Sequence, residues 1–230
     1  MSERITDLTG GRRTVIFMGE AGCGKSELSI NLAVRLKKET DRPVHFFDMD
    51  QTKPLFRSRD VADKIRSEGI VFHSNFDLSV EDQAAIAPGV IEAVNEPDSF
   101  VIMDIGGNEH GARMIGQFSE YLNRPDSIAF FPINPYRPWS KDLPSIAETF
   151  RRITGASRTA NIRVISNPNC GPETTAEDVV SGNEKLESML GGACEISFVC
   201  ALEHLCPELK DRIKKPLFPV KIYILYPWLR

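Results

Sequence analysis

The stretch Gly19-Glu20-Ala21-Gly22-Cys23-Gly24-Lys25-Ser26 holds a glycine, four free positions, then Gly-Lys-Ser. Its glycines let successive backbone N–H groups turn into one concavity, a shape that fits phosphate oxygens. Upstream, "TVIFM" (Thr14–Met18) is apolar and β-branched, as a strand would be. Downstream, Leu28, Leu32 and Leu36 recur every four residues and lay one apolar face along a helix. A strand, a glycine-rich turn and a helix N-terminus aimed at that turn form the setting in which this pattern binds phosphate. Gly19, Glu20, Ala21, Gly22, Cys23, Gly24, Lys25, Ser26 and Glu27 are therefore the expected nucleotide contacts. Within them Lys25 reaches the β and γ phosphates, and the Ser26 hydroxyl is a magnesium ligand.

Working outward, strand-like runs alternate with helix-like stretches. "PVHFFDMD" (43–50), "GIVFHS" (69–74), "FVIMDIGG" (100–107), "SIAFFPI" (127–133), "NIRVISNPN" (161–169) and "CEISFVCAL" (194–202) follow the first strand, and a helix is expected across 88–94. Several of these strands are apolar along most of their length, as strands covered on both faces are. The expected fold is α/β: a doubly wound, mostly parallel seven-stranded sheet with helices on both faces, in the manner of a P-loop NTPase. Residues 1–230 read as a single nucleotide-binding domain.

The bulk properties exclude other classes. Of 230 residues, 41% are hydrophobic and 26% charged, an ordinary globular balance that supports a core without disulfides. The net charge of −4 argues against a protein that coats nucleic acid generically. No apolar run approaches the roughly 20 residues of a membrane span. "MSERITDLTGGRR" lacks the apolar core of a signal peptide, so a cytoplasmic location is expected. The five cysteines form no Cys-x-x-Cys pair, which suits free thiols.

Two strands end in acids, and in such sheets ligands sit beyond the carboxyl ends of the strands. Asp104 follows Phe100, Val101, Ile102 and Met103, the arrangement in which a carboxylate holds magnesium. Gly106 and Gly107 follow it and let a backbone N–H meet a γ-phosphate. Asp48 and Asp50 end the second strand on one side of it. Two acids there repel unless a cation or water sits between them, and Asp50, just beyond the strand end, is placed to orient an attacking water.

The phosphate loop, "FFDMDQTKPLF" and "VIMDIGGN", in that order and spacing, resemble the MinD/ParA-type ATPases. This family belongs to the SIMIBI class of P-loop NTPases. "ISFVCALEHLCPELKDRIKKPLF" (196–218) looks like the family's late strand, base-contacting loop and short helix. The resemblance implies Mg-ATP as ligand, Lys25 and Asp50 as catalytic residues, and Ser26, Asp48 and Asp104 around the metal. It also implies adenine contact by Asn167, in "SNPN". The guanine signature Asn-Lys-x-Asp is absent, since Asn167-Pro168-Asn169-Cys170 lacks both the Lys and the Asp. The implied role is a nucleotide switch for partitioning, positioning or assembly of a protein partner, acting as a homodimer.

One departure is specific. The partitioning members keep a lysine that reaches across the dimer to the partner's nucleotide, and Glu20 occupies that position. A carboxylate facing phosphate would repel it. So Glu20 points away, or cations such as Lys53, Arg57 and Arg59 compensate. The absent lysine also suits an ATP-dependent small-molecule kinase or ligase resembling dethiobiotin or cobyrinate synthetases; a scaffold that binds nucleotide with negligible turnover is a separate alternative.

Three further segments carry expectations. Between Arg137 and Arg163 six basic residues stand against two acids, a candidate DNA-binding face. "NPYRPW" (134–139) reads as a rigid loop and candidate partner contact. The tail "FPVKIYILYPWLR" (218–230) reads as an edge strand or packed tail rather than a membrane helix, because its prolines leave too short a run.

Overall fold

A computed structural model describes residues 4–50, 61–74, 89–107 and 109–224. Lys53, Arg57 and Arg59 lie outside the described residues.

In chain order the elements are α1 (Ile5–Thr9), β1 (Thr14–Phe17), α2 (Lys25–Glu39), β2 (Val44–Met49), α3 (Ala62–Ser67) and β3 (Val71–Ser74). Next come α4 (Val90–Asn95), β4 (Phe100–Ile105), α5 (Glu109–Gly116), α6 (Ser119–Leu122), β5 (Ser127–Ile133) and α7 (Leu143–Ser157). The chain continues through β6 (Ile162–Ser166), α8 (Ala176–Leu190), β7 (Ile196–Leu202), α9 (Cys206–Leu209) and β8 (Leu217–Val220). The strands form one sheet in the order β3-β2-β4-β1-β5-β6-β7-β8. Every pairing in it is parallel.

Among the described residues the sheet therefore has eight strands where seven are expected from the sequence. The eighth, β8, is only four residues long and contains Pro219. Proline removes a ladder donor and is tolerated at a sheet edge, which is where β8 lies. The strand-like reading of the tail thus holds for its first residues.

Period-two alternation divides the core between two faces. Val15, Phe17, Phe46, Ile102 and Phe130 pack on one side, with Leu28, Leu32 and Leu36 of α2. Ile16, Met18, Phe47, Met103 and Phe131 pack on the other, against α4, α5, α7 and α8. Phe17, Phe46, Phe47, Phe130 and Phe131 are all fully buried. Each contributes roughly 1.5–3 kcal/mol by leaving water.

The strand order positions the site. β4 lies between β1 and β2, with Phe17 level with Asp104 and Asp104 level with Asp48. Both acids thus stand at the carboxyl edge where β1 hands over to the phosphate loop.

Candidate nucleotide-binding site

Gly24 precedes α2 in the left-handed region at φ 92°, and Gly22 does so within the loop at φ 78°. These two conformations, which side-chain-bearing residues rarely adopt, turn the loop back on itself before the helix begins. Lys25 opens α2 and is 1% exposed; Ser26 beside it is also buried. A lysine is almost never buried so fully without opposite charge nearby. Here three buried carboxylates, Asp48, Asp50 and Asp104, end the neighbouring strands.

The backbone after β4 presses against the loop. A β-carbon on Gly107 would lie 2.6 Å from Lys25 Nζ and 3.0 Å from Ala21 N. Gly106 faces Asp50: a β-carbon there would lie 3.3 Å from its Oδ1. Of these two glycines Gly107 is the one against the loop. Asp48 Oδ1 accepts the backbone N–H of Asp50 at 3.1 Å, which holds the two acids of β2 together.

Several groups clamp the loop from outside. Asn167, at the end of β6, donates from Nδ2 to the Cys23 carbonyl at 2.8 Å. Arg137 Nε donates to the Gly22 carbonyl at 3.1 Å. Glu20 points away from the phosphate concavity, and its carboxylate pairs with the Arg152 guanidinium on α7 while accepting the Ala21 N–H at 2.9 Å. Two residues of the basic stretch, Arg137 and Arg152, thus serve the loop. The "NPYRPW" segment is also tied inward. Asn134 Nδ2 donates to the Asn169 carbonyl at 2.8 Å, and the Tyr136 hydroxyl to the Asp178 carbonyl at 2.6 Å.

Beside the loop opens a cavity of about 440 Å³. Its phosphate end is formed by Ala21, Gly22, Gly24, Lys25 and Ser26. The far end has apolar walls from Pro172, Leu202, Val220, Ile222 and Ile224, with Asn134, Asn167 and Asn169 as polar groups. A phosphate cradle joined to an apolar slot with a few amides suits a nucleotide, whose base is flat and whose tail is charged. Gly19, Glu20 and Cys23 support the loop without lining this cavity, and Cys23 is fully buried.

The C-terminal strap after β8 closes the slot. Glu27 accepts the backbone N–H groups of Tyr223 at 2.5 Å and Ile224 at 3.1 Å. Asn31 exchanges hydrogen bonds with Lys221, donating to its carbonyl and accepting its N–H. Burial pushes the Glu27 carboxyl up to about 7, against the lowering effect of those two N–H donors. The Glu27 side chain is thus engaged by the strap. Reading the sequence missed that Arg137 and Arg152 hold the loop and that the C-terminal tail walls the cleft. The place of Arg137, just past the strand flanking β1, was the one available signal.

Magnesium fits these residues by their chemistry: a buried hydroxyl and buried carboxylates are hard oxygen donors. Among the described residues no three His, Cys, Asp or Glu side chains form a protein-only cage. A phosphate-bound magnesium needs none, since it takes one or two carboxylates with phosphate oxygens and water.

A wholly parallel sheet with a phosphate loop after its central strand defines a P-loop NTPase fold. No protein-family profile and no curated protein matches the sequence. Solved structures do match in shape. The cell division protein FtsY of Thermotoga maritima is similar at 15% identity and a TM-score of 0.54, over 83% of this chain and 62% of that one. Chloroplast FtsY of Physcomitrella patens is similar at 17% identity and a TM-score of 0.52, over 82% and 58%. FtsY of Mycoplasma mycoides gives 11% and 0.50, over 84% and 65%. The chain thus spans about six tenths of the length of these relatives. At these identities the likeness is one of fold.

Proposed function

We propose that this protein binds Mg-ATP and hydrolyses it as a MinD/ParA-like nucleotide switch. The observation that carries the reading is the convergence of buried Lys25, Ser26, Asp48, Asp50 and Asp104 at the loop that opens α2. Phosphoryl transfer needs positioning and charge neutralisation more than covalent help. In this reading Lys25 and the loop N–H groups hold the β and γ phosphates. Asp50 orients a water whose oxygen bonds to the γ-phosphorus as the bridging P–O bond breaks, leaving ADP and inorganic phosphate. Ser26, Asp48 and Asp104 hold the magnesium, which when bound neutralises phosphate charge. Asn167 and the apolar slot receive adenine. ATP is preferred over GTP because "SNPN" lacks the Lys and Asp of the guanine signature.

A second reading is favoured by Glu20, which is committed to Arg152 and leaves the position of the cross-dimer lysine without a cation. There the γ-phosphate passes to a metabolite's carboxylate or hydroxyl. The switch reading adds a protein partner, cytoplasmic action and a homodimer whose contacts do not use that position.

Fluorescent ATP binding and phosphate release by the purified chain test these readings. Saturable binding with release in buffer, both lost in Lys25→Ala and Ser26→Ala variants that keep their circular dichroism, supports the ATPase. Release only with added metabolites supports the second reading. Unchanged binding and turnover in both variants overturn the nucleotide site, and tighter competition by GTP than by ATP overturns the choice of base.

A further inference from the structure

Two cavities share one wall. The extended chain from Pro219 to Ile224 alternates its side chains, as extended chain does. Val220, Ile222 and Ile224 line the nucleotide cleft. Pro219, Lys221 and Tyr223 line a second, open groove of about 690 Å³. Helix α2 is shared in the same way, with Ser26, Glu27 and Leu28 on the cleft and Asn31, Val34 and Arg35 on the groove. The bonds from Glu27 and Asn31 pin the shared strap between them.

The groove is basic in an acidic protein. Among the described residues six Lys and Arg side chains line it against two carboxylates, with Lys38 and Lys215 paired to Glu68 and Glu195 beyond its lining, while the chain carries a net −4. Both carboxylates are committed: Glu39 accepts the Ile5 N–H, and Glu203 pairs with Lys221 at 3.3 Å. Lys210 and Lys214 are exposed and have no carboxylate partner among the described residues. Half-buried Pro216, Leu217 and Pro219 add apolar surface beside these cations.

This combination selects the occupant. Cations spread along an open groove on exposed side chains suit an extended polyanion better than a compact phosphate, which needs donors converging on one point. Apolar surface beside them suits side chains rather than a sugar-phosphate backbone. Among the described residues the groove has one aromatic ring, Tyr223, which is buried and offers no exposed face for a base to stack on.

We propose that this groove docks an acidic, partly apolar polypeptide segment of a partner protein, and that the strap couples its occupancy to that of the nucleotide cleft. Docking stands on the groove's own chemistry; the coupling rests on the nucleotide reading above. A segment pressing on Lys221 and Tyr223 moves the same backbone that sets Ile222 and Ile224 against the cleft. Such coupling is reciprocal, so nucleotide alters the partner's affinity by the factor by which the partner alters that of nucleotide.

The test is fluorescence anisotropy of a labelled peptide of alternating Glu and Leu, titrated with the full chain in low salt. Binding is expected to weaken about tenfold or more in Lys210→Glu/Lys214→Glu, and less in the Gln pair. Saturating Mg-ATP is expected to shift the peptide's affinity by about fivefold or more. Absence of saturable binding, indifference to both double variants, or tighter binding of single-stranded DNA than of the peptide overturns docking. A peptide affinity unchanged by nucleotide, when a separate titration shows that nucleotide binds, overturns the coupling alone. If no nucleotide binds, the nucleotide reading falls and the coupling with it, while the nucleotide-free titration still decides docking.

Discussion

The Glu20 carboxylate is paired with the Arg152 guanidinium of α7. The acid at the second position of the phosphate loop is therefore turned outward and neutralised within its own chain. Partly exposed pairs of this kind contribute about 0.2–1 kcal/mol. Glu20→Ala is expected to lower unfolding stability by no more than about 1 kcal/mol and to leave ATP affinity within about twofold, because the carboxylate does not face phosphate. Denaturant melts with ATP titrations check this. A loss of ATP affinity much beyond that range would show Glu20 to be a nucleotide contact.

Asn167 and the Cys23 carbonyl make the buried clamp on the other side of the loop. Removing a buried donor leaves the acceptor unsatisfied at a cost of about 1–3 kcal/mol. Asn167→Ala should lower stability by that order and weaken nucleotide binding, since the loop that presents Gly24 and Lys25 loses its anchor. Calorimetric melts and binding titrations of the variant read both effects. Unaltered melting would show that the hydrogen bond contributes nothing to the fold.

Two glycine-to-alanine changes should move in opposite directions. At Gly107 the new methyl would lie 2.6 Å from Lys25 Nζ and 3.0 Å from the loop backbone. Overpacking of that kind costs about 1–3 kcal/mol, so nucleotide affinity should fall roughly tenfold or more. At Gly155, inside α7, a methyl meets nothing within 4 Å. There alanine should raise stability by about 0.5–1 kcal/mol and leave binding unchanged. Binding and melting of the two variants side by side give the comparison.

At the β2–β3 edge, His45 Nδ1 lies 3.0 Å from His73 Nε2, and the His73 ring stacks on Phe47 with centroids 4.2 Å apart. Burial, then the neighbouring His45, brings His73 down to about 4 from its ordinary 6.5. Burial also lowers His45, with Glu96 opposing. The unfolded chain binds protons at these sites that the folded chain refuses, so their contribution is fully present above about pH 6.5 and is lost as pH falls towards 4. Melts across that window should show stability falling with acid, and His73→Phe should flatten the slope. An unchanged slope in the variant would assign the acid sensitivity to other groups.

The central part of the fold was legible because its signals are local. Val15, Ile16 and Phe17 are apolar on both faces, and the leucines of α2 recur at helical spacing. β8 was harder, since four residues around Pro219 carry little pattern and pairing with β7 decides their state. Within the site, the loop, Asp48 and Asp104 followed from residue types at fixed spacing. The clamp by Arg137 and the tail's part in walling the cleft did not. Arg137 lies far along the chain from the Gly22 it holds, and nothing local marks an arginine for a carbonyl on another element.

By itself the sequence determined that this chain carries a phosphate loop between a buried strand and an amphipathic helix, with acids at two later strand ends. Those features depend on backbone freedom and on periods of two and 3.6 residues, which the chain writes locally. The tertiary structure alone decided where Glu20 points, which glycine meets Lys25, and that one strap walls both the nucleotide cleft and a basic groove. These depend on close approach between segments distant in sequence, and only packing sets such distances.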